Sequence, residues 1–218
     1  MPALIQSSEP LPEPGTADAR GLVAIGGDLS VPRLLEAYRR GIFPWDVDPV
    51  TWWSPDPRGI FEWDSLHRSR SLERTLRRQC FQVTFDQAFT AVMRGCAARA
   101  PGRYSTWIHP AMITAYTNLH LCGHAHSVEC WQSGVLVGGI YGVAIGGLFA
   151  GESMFHRVGD ASKVALVHLT DHLREKGFSL FDIQMVTPAT QSLGATWIPR
   201  TEYLKRLAAA AAKSDCRF

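Results

Sequence analysis

The sequence has no long apolar run, and this absence argues against a membrane protein. No stretch approaches the roughly 20 consecutive apolar residues that a transmembrane helix needs. Residues 1–20 are rich in Pro, Glu and Ser and lack the basic start and apolar centre of a secretion signal. The five cysteines are scattered and include no Cys-x-x-Cys pair, which favours reduced thiols over disulfides or a zinc site. We therefore expect a cytoplasmic protein.

Motifs of nucleotide-dependent and hydrolytic enzymes are missing as well. There is no Walker A loop for phosphates and no Gly-x-Ser-x-Gly turn for a serine nucleophile. His120, His124 and His126 lie close together in the sequence. Gly123 interrupts the helix between them, and no acid or cysteine completes a ligand set, so we expect no metal ion. The net charge of +2 is too small to indicate a nucleic-acid partner without regard to where the charges lie.

The residues that are present fit a globular protein with a sizeable core. Hydrophobic residues make up 46% of the 218 residues and charged residues 19%, as in ordinary globular domains. The composition changes near residue 60. We therefore divide the chain into a small N-terminal domain with aromatic loops, residues 1–62, and a larger domain, residues 63–218.

Periodicity and turn residues predict helices and strands in both parts, which indicates an α+β fold. The predicted elements that bear on function are a helix over 31–40 that ends at Gly41, a basic helix over 67–78, a hairpin with strands over 127–131 and 136–144, a strand that ends at Gly151, a helix over 160–176 and an apolar strand over 178–185.

Two acids embedded in apolar strands are the main chemical signal. Glu152 lies among Phe149, Met154 and Phe155, where a carboxylate is costly to desolvate unless another group pairs with it. Asp182 lies in the second apolar strand.

Gln184 lies two residues after Asp182, so we expect both side chains on one face of that strand. Side by side, a carboxylate and a carboxamide can hold a reacting amine or carbonyl. The alternative is a purely structural pair that ends the strand in a polar pocket or binds Arg157 or Lys163. Glu152 has the same alternative, an ordinary salt bridge.

The segments 42–45 and 51–58 contain three tryptophans and three prolines. We expect a stiff, irregular segment here rather than a regular element. It forms either a small core beneath loops or a surface on which a base or sugar stacks, since rigid aromatic rings suit that task.

Arginines recur at helical spacing in the predicted basic helix. Arg70, Arg74 and Arg77 share one face, and Arg78 follows directly. Only Glu73 offsets them within the helix. The face is either simply solvated or a contact for a phosphate backbone.

The order of strand, loop 157–160, helix and strand resembles the core of the GCN5-related acetyltransferase (GNAT) superfamily. Free backbone N–H groups at the start of a helix can bind an anion. The loop departs from the Gln/Arg-x-x-Gly-x-Gly/Ala pattern of the acyl-CoA enzymes. Because of the order of elements, an acyl-CoA-dependent N-acetyltransferase is the alternative function. A second alternative is a non-catalytic tRNA-binding module.

An ordered set of motifs resembles the leucyl/phenylalanyl-tRNA–protein transferase family over nearly all of residues 21–207. The motifs are Gly26-Gly27-Asp28-Leu29-Ser30, Tyr38-Arg39-Arg40-Gly41-Ile42-Phe43-Pro44-Trp45, Trp52-Trp53-Ser54-Pro55-Asp56-Pro57-Arg58, Gly123-His124-Ala125-His126-Ser127-Val128-Glu129, Gly138-Gly139-Ile140-Tyr141-Gly142-Val143, Gly151-Glu152-Ser153-Met154-Phe155 and Ser192-Leu193-Gly194-Ala195.

The resemblance implies transfer of Leu or Phe, and less well Met, from aminoacyl-tRNA to the α-amine of proteins with N-terminal Arg or Lys. The product is marked for degradation in the bacterial cytoplasm. The implied fold is a small N-terminal domain on a GNAT-like C-terminal domain with a mixed, mostly antiparallel sheet. Because the aminoacyl ester is already activated, we expect no cofactor. We also expect the protein to be a monomer.

The resemblance also implies roles for individual residues. Asp182, Gln184 and Glu152 match the catalytic groups. Trp45 and Trp107 match aromatic residues around the terminal adenosine of the tRNA, and Tyr38 matches a substrate-binding tyrosine of the corresponding helix in the family. The pocket for the transferred side chain matches Ile140, Phe149, Leu166, Leu169, Leu173 and Phe181, and Arg70, Arg74, Arg77 and Arg78 are the candidate tRNA contacts. One departure is Ala189, which stands where the family often has His.

Overall fold

The computed structural model describes residues 2–99 and 106–218, which form two β-sheets and seven α-helices. The smaller sheet contains strands β1 (Ala3–Ile5), β2 (Leu22–Gly26), β3 (Phe43–Val47) and β4 (Val50–Trp53), and helix α1 (Val31–Arg39) connects β2 to β3. The strand order is β1-β2-β4-β3.

The larger sheet has seven strands, which are β5 (Arg58–Phe61), β6 (Gln82–Phe85), β7 (Ala125–Gln132), β8 (Val135–Ile145), β9 (Leu148–His156), β10 (Leu180–Gln184) and β11 (Thr196–Ile198). Their order is β11-β5-β10-β9-β8-β7-β6. Within the described residues β9 and β10 are its one parallel pair, and the other neighbours run antiparallel. The predicted mixed, mostly antiparallel sheet is confirmed.

The remaining helices are α2 (Arg70–Arg77), α3 (Phe89–Ala97), α4 (Pro110–Leu121), α5 (Ala161–Glu175), α6 (Pro188–Ser192) and α7 (Arg200–Ala211). Over the two described ranges, none of the helices combines the length and apolar character that crossing a membrane requires. The predicted division at residue 62 lies just after β5, which belongs to the larger sheet.

The expectation of an irregular aromatic segment is wrong for β3 and β4 but holds for residues 54–57, which belong to no helix or strand. Phe43 pairs with Trp53 and Val47 with Val50, so β3 and β4 form a hairpin, whose register shifts between Pro44 and Val47. Pro44 misled the prediction because proline cannot donate to a sheet ladder. β3 is an edge strand, and edge strands tolerate proline.

Helix α1 ends as its sequence predicts. The N–H of Ile42 donates to the carbonyl of Ala37 at 2.9 Å, and Gly41 has a φ of 74°. This is the arrangement of a C′ glycine, which reverses the chain into β3. The turn directs Tyr38, near the end of α1, toward the larger sheet, where it meets Glu152.

Strand β9 does not end at Gly151 as predicted. It continues to His156 because the long strand β8 supplies partners as far as Gly138. The pairing is irregular at one point, since Tyr141 lies opposite Ser153 and Gly142 lies opposite Gly151. Glu152 is left over between them, in a β-bulge that redirects its side chain.

The two faces of the larger sheet are covered by different helices. A side chain at Gly138 would meet Ala161 of α5 at 2.6 Å, whereas one at the next residue, Gly139, would meet Val92 of α3 at 3.0 Å. One core joins α3 and α4 to the small sheet, with Trp52 among its buried residues. A second core packs α5 against the sheet, and a third packs α7 against β5, β9 and β10.

The bulge depends on Gly142. A side chain there would collide with the carbonyl oxygen of Ala150 and would lie 2.5 Å from the ring of Phe149. We expect Gly142→Ala to lower the free energy of unfolding by about 1–3 kcal/mol, as overpacking in cores does. Urea unfolding measures the change.

Gly159→Ala is the matched control, because no atom lies within 4 Å of the added carbon. We expect it to leave the midpoint unchanged or slightly raised. Equal stability of the two variants would contradict the packing argument.

Candidate active site

A cavity of about 490 Å³ lies between β3 of the small sheet, Trp107 ahead of α4, the larger sheet, and helices α5 and α6. Its walls are mostly apolar, and its polar residues include Glu152, Ser153, Gln184, Thr187 and Thr190. This size and composition are typical of small-molecule sites, in which a few polar groups orient a ligand among apolar walls.

Glu152 presents its carboxylate to this cavity. Its Oε1 accepts hydrogen bonds from the hydroxyl of Tyr38 at 2.7 Å and from Nε2 of Gln184 at 3.0 Å. Tyr38 comes from α1 and Gln184 from the end of β10. The carboxylate therefore joins α1 to β9 and β10 of the larger sheet at the site.

Burial raises the pKa of Glu152 to about 8, because desolvation penalises the charged form. The hydrogen bond from Tyr38 opposes this rise, the negative charge of Asp182 adds to it, and the positive charge of Arg58 opposes it. The carboxyl group can therefore gain or lose a proton near neutral pH, as groups in catalytic sites often can.

A row of buried tyrosines supports Glu152. The hydroxyls of Tyr38 and Tyr116 lie 2.5 Å apart, and the rings of Tyr116 and Tyr141 meet edge to face at 6.0 Å. Burial raises the pKa of all three well above the ordinary range, so they are neutral donors. Within the described residues, the hydroxyl of Tyr141 has no hydrogen-bond partner.

Asp182 is fully buried and its carboxylate accepts four hydrogen bonds. Nε and Nη2 of Arg58 donate at 2.9 and 2.7 Å, the hydroxyl of Tyr203 at 2.9 Å, and the backbone N–H of Gln184 at 2.9 Å. The expectation of a partner at Arg157 or Lys163 is wrong. Lys163 pairs with Asp160 instead, because Asp160 lies directly before α5 and Lys163 lies in its first turn.

Asp182 and Gln184 do not share one face of β10, as the regular period of a strand predicts. Asp182 pairs with Ile60 and Gln184 with Gly59, so the residue between them is bulged, and Gln184 has a φ of 57°. The Asp182 carboxylate consequently points to Arg58, whereas the Gln184 carboxamide lines the cavity.

The cavity includes most of the predicted apolar and aromatic contacts. These are Trp45, Trp107, Ile140, Leu166 and Phe181. Phe149, Leu169 and Leu173 are buried in the adjacent core and do not line it.

The core alternative for the aromatic segment is confirmed for Trp52, and the stacking alternative stays a prediction for Trp45. Trp52 is a core residue with no exposure, whereas Trp45 lies on the cavity wall, 6.2 Å from the ring of Trp107.

The predicted arginines lie on α2, away from the cavity walls. Ser69 caps the helix by accepting the N–H of Leu72 at 3.3 Å, and Leu72 is buried, so the opposite face points outward. Arg70, Arg74, Arg77 and Arg78 are exposed. None of these four forms a salt bridge with any residue of the described ranges 2–99 and 106–218.

The start of α5 bears on the acyl-CoA alternative. The carboxylate of Asp160 lies there, bound to Lys163 at 3.0 Å and to Thr75 at 3.3 Å. A negative charge at this position opposes the binding of a phosphate at the helix start.

Sequence reasoning missed Arg58, Tyr116 and Tyr203. Arg58 had one local signal, a charged residue directly before the apolar residues 59–61. Tyr116 and Tyr203 look like ordinary inward residues of helices, and only the packing brings their hydroxyls to the two acids.

An apolar cavity in which a carboxylate and a carboxamide converge suits a transferase that sets an amine against an activated carbonyl carbon. Two family models match the chain, "Leucyl/phenylalanyl-tRNA protein transferase N-terminal domain" over residues 27–56 and "Leucyl/phenylalanyl-tRNA protein transferase" over residues 60–208. The chain belongs to the leucyl/phenylalanyl-tRNA–protein transferase family and is an aminoacyltransferase.

Curated relatives agree with this assignment. The leucyl/phenylalanyl-tRNA–protein transferase of Solidesulfovibrio magneticus is 53% identical over 214 residues, which is 96% of this chain and 87% of the relative. That of Syntrophobacter fumaroxidans is 56% identical over 195 residues, 88% of this chain and 83% of the relative.

Solved structures are more distant. PaiA N-acetyltransferase from Thermoplasma acidophilum, in complex with coenzyme A, matches with a TM-score of 0.34 and 13% identity over 44% of this chain and 75% of that chain. L-PGS from Bacillus licheniformis matches with a TM-score of 0.43 and 10% identity over 86% of this chain and 62% of that chain.

The raised pKa of Glu152 makes stability depend on pH. Folded, the carboxyl group has a pKa of about 8 against an ordinary value of 4.5. The protonated group therefore contributes its full stability at a pH below the ordinary value, and that contribution is lost as the pH rises through the folded pKa. Glu152→Gln keeps an oxygen acceptor for Tyr38 but cannot become charged.

We expect Glu152→Gln to be more stable than the wild type by about 1–2 kcal/mol at about pH 9, after allowance for solvent screening. The difference should disappear near about pH 4, where both side chains are neutral. Urea unfolding at the two pH values measures it. A difference that did not change with pH would contradict burial of the charged carboxylate.

Proposed function

We propose that the protein transfers Leu or Phe, and less well Met, from aminoacyl-tRNA to the α-amine of proteins with N-terminal Arg or Lys. Membership of the family establishes an aminoacyl-tRNA donor and a protein acceptor. The observation that carries the finer proposal is an apolar cavity with the Glu152 carboxylate and the Gln184 carboxamide in its wall.

The apolar wall supports the choice of donor side chain. Ile140, Leu166 and Phe181 offer a surface without charge, which suits the side chains of Leu, Phe and Met. Val and Ile carry a branch at Cβ and have few χ1 rotamers, so we expect the branch to crowd the entrance. Trp45 and Trp107 supply ring faces on which the terminal adenosine can stack.

The positions of the polar groups support roles in the reaction. Since Nε2 of Gln184 donates to Glu152, its carbonyl oxygen is free to accept from the attacking amine. In its deprotonated form, Glu152 attracts the cationic end of the acceptor and can take its proton. Asp182, saturated by donors, holds the Gln184 backbone and is a positioning residue.

In the reaction, the neutral α-amine attacks the ester carbon of the aminoacyl-tRNA. A C–N bond forms and the C–O bond to the ribose breaks. The proton lost by the amine is transferred to the ribose oxygen, which becomes a hydroxyl group. Because the ester is already activated, the main task of the protein is to hold two substrates in reacting geometry.

The face of α2 supports a site for the tRNA body. Arginines that face solvent can hold a phosphate backbone with little dependence on sequence. We also propose that the product is marked for degradation in the bacterial cytoplasm and that the enzyme acts as a monomer.

Transfer to a peptide tests the proposal directly. Radiolabelled Phe-tRNA and a peptide that begins with Arg should yield labelled peptide, and the same peptide with an acetylated N-terminus should yield none. No label in the free-amine peptide would contradict the proposal and favour a tRNA-binding protein without catalysis. Thermal stabilisation by acetyl-CoA, but not by an aminoacyl-adenosine analogue, would favour an N-acetyltransferase.

Reversing the charges of Arg70, Arg74 and Arg77 to Glu tests the tRNA surface. We expect the KM for aminoacyl-tRNA to rise about tenfold or more at low salt, and its dependence on salt to weaken, because fewer counterions are released on binding. Steady-state transfer at several salt concentrations measures both quantities.

The same reversal at Arg94, Lys176 and Lys205 is the control, since these residues are also exposed and the net charge changes equally. An equal effect of both triple variants would mean that only net charge matters. If the α2 variant changed neither the KM nor its dependence on salt, the arginines of α2 would be only a solvated face.

A further inference from the structure

We infer that Arg58 is a positioning residue of the active site, which fixes both of the donors that hold the Glu152 carboxylate. The inference rests on the proposed function, in which Glu152 and Gln184 face the reacting amine. Arg58 itself is 1% exposed and does not line the cavity, so it acts through its neighbours.

The first connection runs from Arg58 through Asp182 to Gln184. Two parallel hydrogen bonds, at 2.9 and 2.7 Å, fix the Asp182 carboxylate in the plane of the guanidinium. That carboxylate accepts the backbone N–H of Gln184 at 2.9 Å. Gln184 has a φ of 57°, a conformation that non-glycine residues adopt only when the surroundings support it. The bond from Asp182 provides this support and so directs the carboxamide to Glu152.

The second connection runs from Arg58 to the helix that carries Tyr38. Nη1 of Arg58 donates to the carbonyl oxygen of Gly41 at 3.0 Å, and Gly41 lies just after the end of α1. Tyr38, three residues earlier, donates to Glu152 at 2.7 Å. The guanidinium therefore connects the end of α1 to β10, the two elements that meet at the Glu152 carboxylate.

Aromatic rings hold the guanidinium in place. Its central carbon lies 4.9 Å from the ring centre of Phe43 and 4.4 Å from that of Tyr203. Such contacts favour a planar cation, and the fixed fork of donors is what allows one side chain to reach both Asp182 and Gly41. A lysine keeps the charge but has a single nitrogen, so it cannot reproduce this geometry.

Arg58→Lys tests the inference because it retains the charge and loses the fork. We expect kcat for transfer to fall about tenfold or more, with the KM for aminoacyl-tRNA within about threefold of the wild type, since misplacement affects the reacting groups more than binding. Thermal unfolding verifies that the variant is folded at the assay temperature. A kcat within about twofold of the wild type in folded protein would overturn the inference.

Arg33→Lys is the matched control. Arg33 is also a buried arginine, at 6% exposure, and it binds Glu36 and the carbonyl oxygens of Ser7 and Glu9, away from the cavity. We expect it to leave kcat unchanged. An equal loss of kcat in both variants would mean that Arg58 contributes to folding in general and does not position the active site.

A titration of the Glu152 carboxyl by carbon NMR gives a readout that does not require transfer. We expect the pKa of Glu152 to rise in Arg58→Lys, because Tyr38 and Gln184, whose hydrogen bonds lower it, lose their fixed positions while the positive charge remains. It should not move in Arg33→Lys. An unchanged pKa in Arg58→Lys would count against the inference even if the proposed substrates were wrong.

Tyr203→Phe decides the question if Arg58→Lys does not fold. The change removes one donor to Asp182 and keeps the ring that covers the guanidinium. A fall in kcat of about threefold or more, with KM unchanged, supports the inference, and an unchanged kcat overturns it.

Discussion

The active site depends on a buried ion pair between Arg58 and Asp182. A charged pair with exposures of 1% and 0% has lost its hydration, and such pairs often contribute little to stability compared with apolar packing. The function of this pair is instead to fix the orientation of the groups that it binds. The guanidinium binds groups from α1 and β10 at fixed angles, and the carboxylate in turn holds the bulged backbone of Gln184.

Two β-bulges bring polar groups from apolar strands to the wall of the cavity. The strands that border the cavity are apolar because the sheet is covered on both faces, and a regular strand would leave few positions for polar groups. Each bulge breaks the alternation once, at Glu152 in β9 and just before Gln184 in β10. The polar groups thus reach the cavity while the neighbouring side chains remain in the core.

The parts of the molecule have separate tasks in the proposed reaction. The apolar walls bind the transferred side chain, and the carboxylate and carboxamide bind the amine. The exposed arginines of α2 bind the RNA backbone. The same desolvation that makes the cavity suitable for a Leu or Phe side chain also raises the pKa of Glu152. In the proposed reaction, the choice of donor side chain and the protonation of Glu152 therefore depend on one property, the apolar character of the cavity walls.

Patterns within short stretches were enough to predict much of this protein. The glycine end of α1 at Gly41, the hairpin of β7 and β8, and the placement of Glu152 and Asp182 within apolar strands follow from residues close in sequence, where local rules apply. The partner of Asp182 could not be predicted, because Arg58 lies 124 residues away in the chain. The bulges were equally hidden, since an unpaired residue exists only relative to a neighbouring strand whose register the whole sheet sets.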